Sequence, residues 1–167
     1  NNYSQELVGE VLGTFEDKNQ TAIAILEKHS YKNEYSVIEK MPFSSSRKMS
    51  GVKFENVGAF VIGAPEFVLA SDNKIVEQLQ EYTKQGYRVL LLAKVDDLKE
   101  NQVIGNVHPI RGYIIKDHIR ETAPATLKWF KENEVEIKII SGDNPLTVSE
   151  IAKQAGVDNA ENYVSLE

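Results

Sequence analysis

Two short apolar-rich runs, residues 49–54 and 57–62, are separated only by Glu55-Asn56. A pair so closely spaced reads as an antiparallel hairpin, which predicts a sheet assembled from chain neighbours. The second run stops at Gly63-Ala64-Pro65-Glu66. Proline suits the first turn of a helix because it forfeits no hydrogen bond there, and Glu66 faces the positive helix end. Residues 35–41 read as a strand leading into Pro42-Phe43-Ser44-Ser45-Ser46-Arg47-Lys48, and residues 87–93 as a central strand. Between them Ile75, Val76, Leu79 and Tyr82 recur at helical spacing, are expected in the core, and are followed by Gly86, well placed to end a helix.

The flanking regions are less uniform. Residues 6–14 mix apolar and small residues without a clean period, so their structure is left open. In the polar turn Glu16-Asp17-Lys18-Asn19-Gln20, Asp17 or Asn19 can cap a helix that carries Ala22, Ile25, Leu26 and His29 on one face. Residues 96–101 read as a charged, solvated connection, and residues 111–116 as a strand reaching Asp117 and Arg120. A helix with Ala123, Leu127 and Phe130 inward follows, then a strand over 135–140, then Ser141-Gly142-Asp143-Asn144 and a helix from Pro145 to about Gly156. That succession reads as half of a doubly wound sheet. A hydroxyl at a strand's carboxyl end, a glycine turn and a capped helix make the place where open α/β sheets hold phosphates.

Composition narrows the partners. With 41% apolar and 26% charged residues, 167 residues can hold one ordinary core and a smaller appendage. A net charge of -6 argues against nucleic acid and anionic lipid, which reward positive surface. A polyanion would need local positive charge, and Arg47, Lys48 and Arg88 are candidates for it. The longest apolar run, residues 89–93, is far short of the ~20 residues of a membrane helix. The absence of cysteine excludes disulfide and thiol chemistry and is compatible with the cytosol. The polar start is unlike a signal peptide, and a start on Asn instead of Met suggests an excised piece. His29, His108 and His118 have no zinc spacing, and neither a Walker phosphate loop nor a G-x-S-x-G elbow is present. An aromatic ring, three hydroxyls and two cations in residues 43–48 suit a nucleoside triphosphate, the ring taking the base and the cations the phosphates. The alternative is an ordinary half-buried strand edge with solvated charges.

Four segments together favour the first reading. Phe43-Ser44-Ser45-Ser46-Arg47-Lys48, Ile62-Gly63-Ala64-Pro65-Glu66, Asp117-His118-Ile119-Arg120 and Ser141-Gly142-Asp143-Asn144 resemble the F-S-x-x-R-K, K-G-A-P-E, D-P-x-R and T-G-D-N segments of the P-type ATPases. These are ion pumps that phosphorylate one of their own aspartates. The resemblance runs in family order over nearly the whole chain, with residues 1–14 the least informative. It implies an α+β nucleotide-binding domain over 1–116, an antiparallel sheet flanked by helices. A partial α/β, haloacid-dehalogenase-like phosphorylation domain would follow over 117–167.

The resemblance also implies roles. Phe43 would stack on adenine, with Lys48, Ile62 and Gly63 lining the same pocket and Gln20 standing where the family has an adenine-bonding glutamate. Ser45 and Arg88 match positions near the phosphates. Ser141, Gly142 and Asp143 would support phosphoryl transfer and hold the nucleotide, and Asp117 and Arg120 would form the hinge. Ile62 departs from the family's usual lysine, His118 from its proline, and Ser141 from its threonine. Asp17-Lys18 matches the start of the family's D-K-T-G-T acceptor motif, but Asn19-Gln20 follows, with no glycine and no preceding apolar strand, so a helix cap is expected. The acceptor aspartate, a later lysine and the metal-completing G-D-G-x-N-D motif are absent from the chain.

The implied whole is a membrane pump, in the plasma membrane and using ATP and Mg²⁺, with calcium as the expected cation. This chain would be a cytoplasmic piece that binds ATP or ADP, holds no metal site and turns over nothing alone. Its partners would be the membrane and actuator domains of the same polypeptide, with no nucleic acid. Two rivals are a stand-alone haloacid-dehalogenase-like phosphatase with Asp117 as nucleophile and a regulatory module that has lost nucleotide binding. The first lacks the required D-x-D or D-x-x-x-T pattern at Asp117-His118-Ile119.

Overall fold

The computed structural model describes residues 2–70, 72–116 and 119–164, and the side chains from residue 6 onward. The elements run α1 (Asn2–Gly13), α2 (Gln20–Leu26), β1 (Val37–Met41), β2 (Met49–Phe54), β3 (Gly58–Gly63), α3 (Pro65–Val68), α4 (Lys74–Lys84), β4 (Tyr87–Lys99), β5 (Gln102–Lys116), α5 (Ala123–Glu132) and α6 (Pro145–Ala155). The chain divides into two compact units, Asn1–Leu79 with Val89–Ile115, and Gln80–Arg88 with Lys116–Glu167.

The first unit is built on a five-stranded sheet in the order β1-β2-β3-β4-β5. The expected hairpin is present, with Ser50 opposite Ile62 and Phe54 opposite Gly58. Its loop uses left-handed backbone at Asn56 (φ 59°) and Gly58 (φ 120°). Glu100 (φ 51°) and Asn101 (φ 61°) make the two-residue turn from β4 to β5, the conformation whose twist suits an antiparallel hairpin. The expected antiparallel sheet with flanking helices is therefore found. Helix α3 opens on Pro65 with Glu66 in its first turn.

Side chains alternate between the two sheet faces, and each face has its own core. Val52, Phe54, Phe60, Ile62 and Leu92 pack with Leu7, Val8, Val11 and Leu12 of α1 and Ala22 and Ile25 of α2. Met41, Ala59, Val61, Leu91, Ala93 and Val95 pack with Val68, Leu69 and Val76 on the other face. Helix α1 escaped the sequence because Gly9, Glu10 and Gly13 are buried along with its apolar residues. A Cβ on Gly9 would lie 2.4 Å from the Ser30 carbonyl oxygen, so the glycine lets the chain after α2 lie against the helix. The Glu10 carboxylate accepts from the backbone N–H groups of Lys32 (2.8 Å) and Glu34 (3.1 Å) and fixes that segment.

Three local expectations are corrected. Residues 96–99 belong to β4 instead of a solvated connection, because Leu98 is buried and Asp97 pairs with Lys53 at 2.7 Å. The strand expected from residue 111 starts at Gln102; its exposed first half has no burial pattern to announce it. Tyr82 is 41% exposed instead of core, and its ring meets the edge of Tyr87.

In the second unit, α6 is capped by Asn144, whose side chain accepts from the Leu146 N–H at 3.0 Å, and stops at left-handed Gly156 (φ 94°). Thr147, Ala152 and Ala155 are its buried residues. Ala123, Leu127 and Phe130 are the less exposed positions of α5, although none is fully buried. Residues 135–140, expected as a strand, have no regular structure. An alternating apolar run becomes a strand only when a neighbour completes its ladder, and no described strand pairs with it. No described helix is long and apolar enough to cross a membrane.

Candidate ligand-binding hollow

On the α1–α2 side of the first unit lies a hollow of about 460 Å³, within the ~300–1,000 Å³ usual for small-molecule sites. Its sheet floor comes from Lys40, Ser50, Ile62, Gly63 and Leu90, and Leu12 and Ala22 form an apolar wall. Residues 14–19 and Pro42, Phe43 and Lys48 complete the lining. Asn19 shapes one side by accepting from the Ala22 N–H at 2.8 Å, so the N-cap is Asn19 and Asp17 stays in the preceding bend.

The 42–48 turn forms the opposite side. Lys48 N–H donates to the Ser44 carbonyl at 2.8 Å, Arg47 N–H to Ser44 Oγ at 3.2 Å, and the Arg47 guanidinium to the Pro42 carbonyl at 2.9 Å. The turn is pinned to β3 where Ala64 N–H donates to the Lys48 carbonyl at 3.0 Å. A Cβ at Gly63 would lie 2.4 Å from both that carbonyl oxygen and Met49 Cβ, so a side chain there would force the turn away. Phe43 is left 57% exposed at the hollow, an aromatic face open to a planar ligand. The Lys48 ammonium stands 5.4 Å from the centre of the Phe67 ring.

Phe43, Lys48, Ile62 and Gly63 thus line one hollow. Phe43 lies past the end of β1, and β2 stands between β1 and the Ile62 strand β3. Both reach the hollow because the turn folds back over it. Ser45 is exposed on the turn and Gln20 at the start of α2, and neither belongs to the lining. Lys40, Glu16, Asp17 and Lys18 do belong to it and were missed as site residues. For Lys40, its place on a strand ending just before Phe43 was the available signal.

The remaining residues of interest lie in the second unit. The Arg88 guanidinium pairs with the Asp143 carboxylate at 3.0 Å, and Ser141 Oγ accepts from the Asp143 N–H at 3.1 Å. Ser141, Gly142 and Asp143 are all exposed, and a Cβ on Gly142 would meet nothing within 4 Å. The turn therefore has room for a ligand close to its backbone. Arg120 is exposed and its carbonyl accepts from the Ala123 N–H, while Asp117 lies outside the described residues. Among the described residues no group of three or more His, Cys, Asp or Glu side chains could hold a metal ion.

No protein-family model matches the chain. It is 39% identical to a probable cation-transporting ATPase, exp7, of Streptococcus pneumoniae, over 97% of this chain and 21% of that protein. It is 34% identical to the calcium-transporting ATPase CtpE of Mycobacterium bovis, over 92% of this chain and 20% of that protein. It is 27% identical to the polyamine-transporting ATPase 13A3 of Mus musculus, over 74% of this chain and 12% of that protein. The chain spans about a fifth of the length of the first two relatives. It is homologous to a part of the P-type cation-transporting ATPases, as its four motifs imply.

Proposed function

We propose that this chain, as a relative of the P-type cation-transporting ATPases, binds ATP or ADP in the hollow beside Phe43. The observation that carries the reading is the meeting of an exposed aromatic face, an apolar floor at Ile62 and Leu90, and the Lys48 cation in one hollow. A purine is flat and apolar on its faces with acceptors at its edge, and the triphosphate it carries is anionic, so it matches that combination. Ile62 gives the floor apolar contact where a lysine would give charge, and because its side chain is already packed in the core it offers a ligand a firm apolar surface, not new area to bury.

In this reading residues 1–116 form the nucleotide-binding domain and 117–167 part of a haloacid-dehalogenase-like phosphorylation domain, with Asp117 and Arg120 at the hinge. Arg88, Ser141, Gly142 and Asp143 serve the phosphate end of the complex, and Ser45 and Gln20 make outer contacts. The parent protein is a membrane pump that couples ATP hydrolysis, through an aspartyl-phosphate and with Mg²⁺, to cation transport. Calcium is the proposed cargo, as the name of the Mycobacterium bovis relative suggests. This piece lies on the cytoplasmic side, works with the membrane and actuator regions of its own polypeptide, and is inactive by itself because the D-K-T-G-T acceptor is not in it.

Amide and methyl resonances followed through an ATP titration test the assignment. Saturable shifts concentrated at Phe43, Lys48, Ile62 and Leu90 are expected. An unchanged spectrum at millimolar ATP would refute nucleotide binding and favour the regulatory module.

A further inference from the structure

The hollow has lysines at three places, and they are not equivalent. Lys18 is exposed on the loop before α2, and Lys48 closes the 42–48 turn with its ammonium over the Phe67 ring. Lys40 alone among the three is carried by the sheet. It stands opposite Val52, and Ser50, two residues before Val52, stands opposite Ile62. Successive residues of a strand alternate in face, so Lys40, Ser50, Val52 and Ile62 project from the same side. Leu92 opposite Ile62 carries this face to β4, where Leu90 continues it. The Lys40 stem therefore lies on the apolar floor and its ammonium at the floor's margin.

Among the described residues one hydrogen bond holds that ammonium. Lys40 Nζ donates to the Thr14 carbonyl at 3.1 Å, which engages one of the three protons an ammonium can donate. Thr14 and Lys40 also line a second, polar hollow of about 390 Å³ with Tyr31, Asn33, Glu34, Tyr35, Ser36 and Val37. The pair consequently stands as the partition between the two spaces, and it closes the first hollow beside Leu12, Ala22 and Ile62.

We infer that Lys40 contacts the base: held by Thr14, its ammonium donates to a ring-nitrogen acceptor on the edge of a purine seated on the floor. This rests on the nucleotide reading of the hollow. It divides the cations by task, with Lys40 at the base end and Lys48 toward the phosphates. A charged donor to an uncharged acceptor makes one of the stronger hydrogen bonds available to such a site. The contact is independent of phosphate number, which separates it from electrostatic attraction to the triphosphate. It is also distinct from a purely structural tether, which would move stability and leave affinity alone.

Dissociation constants of ATP, AMP and adenosine, from chemical-shift titrations of the whole chain, test this in the unsubstituted protein, Lys40→Gln and Lys48→Gln. Lys40→Gln is expected to weaken all three ligands by a similar factor, roughly tenfold, while Lys48→Gln weakens ATP most and adenosine least. Lys40→Arg, which keeps a charged donor, should recover part of the adenosine affinity; with it, a folding defect in Lys40→Gln does not obscure the result. Unchanged adenosine binding in a folded Lys40→Gln would overturn the inference, as would a loss that grows with the number of phosphates. If the unsubstituted protein bound none of the three, the nucleotide reading itself would fall first.

Discussion

The sheet unit and the unit carrying α5 and α6 both contain apolar runs and use them differently. In the first, Phe54, Phe60, Val61 and Leu92 are almost wholly covered, because every inner strand has neighbours on both sides and helices on both faces. In the second, α5 buries no residue and Ile140 is 95% exposed, although the 135–140 run alternates as regularly as any strand. The difference teaches that alternation becomes sheet only where a partner ladder exists. It bears on function too: the hollow is walled by elements held in a packed core. The Ser141 turn rests on local bonds, namely the Asp143 N–H to Ser141 Oγ, the Asn144 cap and the Arg88–Asp143 ion pair.

Truncations should separate the two units most widely. Phe54→Ala is expected to cost about 3–5 kcal/mol, the usual range for a buried aromatic, whereas Ile140→Ala should stay within about 0.5 kcal/mol. Comparable losses in urea denaturation would break the comparison. Two glycines sharpen it. Gly63→Ala sets a Cβ 2.4 Å from the Lys48 carbonyl oxygen and Met49 Cβ, so an overpacking cost of ~1–3 kcal/mol is expected together with a displaced 42–48 turn. Gly142→Ala meets nothing within 4 Å and should leave the melting temperature nearly unchanged.

Smaller effects come from caps and surface charge. Asn19→Ala and Asn144→Ala each remove a side-chain acceptor from a helix start, so both should lose ~1 kcal/mol by thermal denaturation. Only the first should also alter the hollow beside Phe43, while the second should loosen the Ser141 turn. Asp97 has its carboxyl held below the usual range, first by the hydrogen bond from Lys53 and then by the Leu98 N–H. Its contribution is therefore present above the ordinary carboxylate pKa of ~3.9 and disappears as pH falls through the depressed folded value. Asp97→Asn should lower the urea midpoint slightly at pH 7, and that gap should close in acid. A gap that widened in acid would contradict the assigned sign.

Much of the framework was legible because local chemistry and tertiary structure agree there. Glu55-Asn56 marks the hairpin, Pro65 a helix start, and Asn144 and Gly156 the two ends of α6. Helix α1 was illegible because its burial includes Gly9, Glu10 and Gly13, residues chosen for close approach and backbone capture instead of hydrophobicity. The first half of β5 was illegible because both of its faces are largely exposed. At the hollow, Phe43, Lys48, Ile62 and Gly63 could be picked out by motif. Glu16, Asp17 and Lys18 could not, since the path of the α1–α2 connection brings them there without a local signature, and Lys40 was marked only by its place on the strand that ends just before Phe43.

The central claim is that Phe43 offers its face to a purine, and calorimetric titration of ATP into the unsubstituted protein and Phe43→Ala tests it most directly. Because the ring is exposed, the substitution should leave the fold intact while removing base stacking worth about 1–3 kcal/mol, roughly a fivefold to hundredfold loss of affinity. Equal ATP affinity in the two proteins would contradict the account.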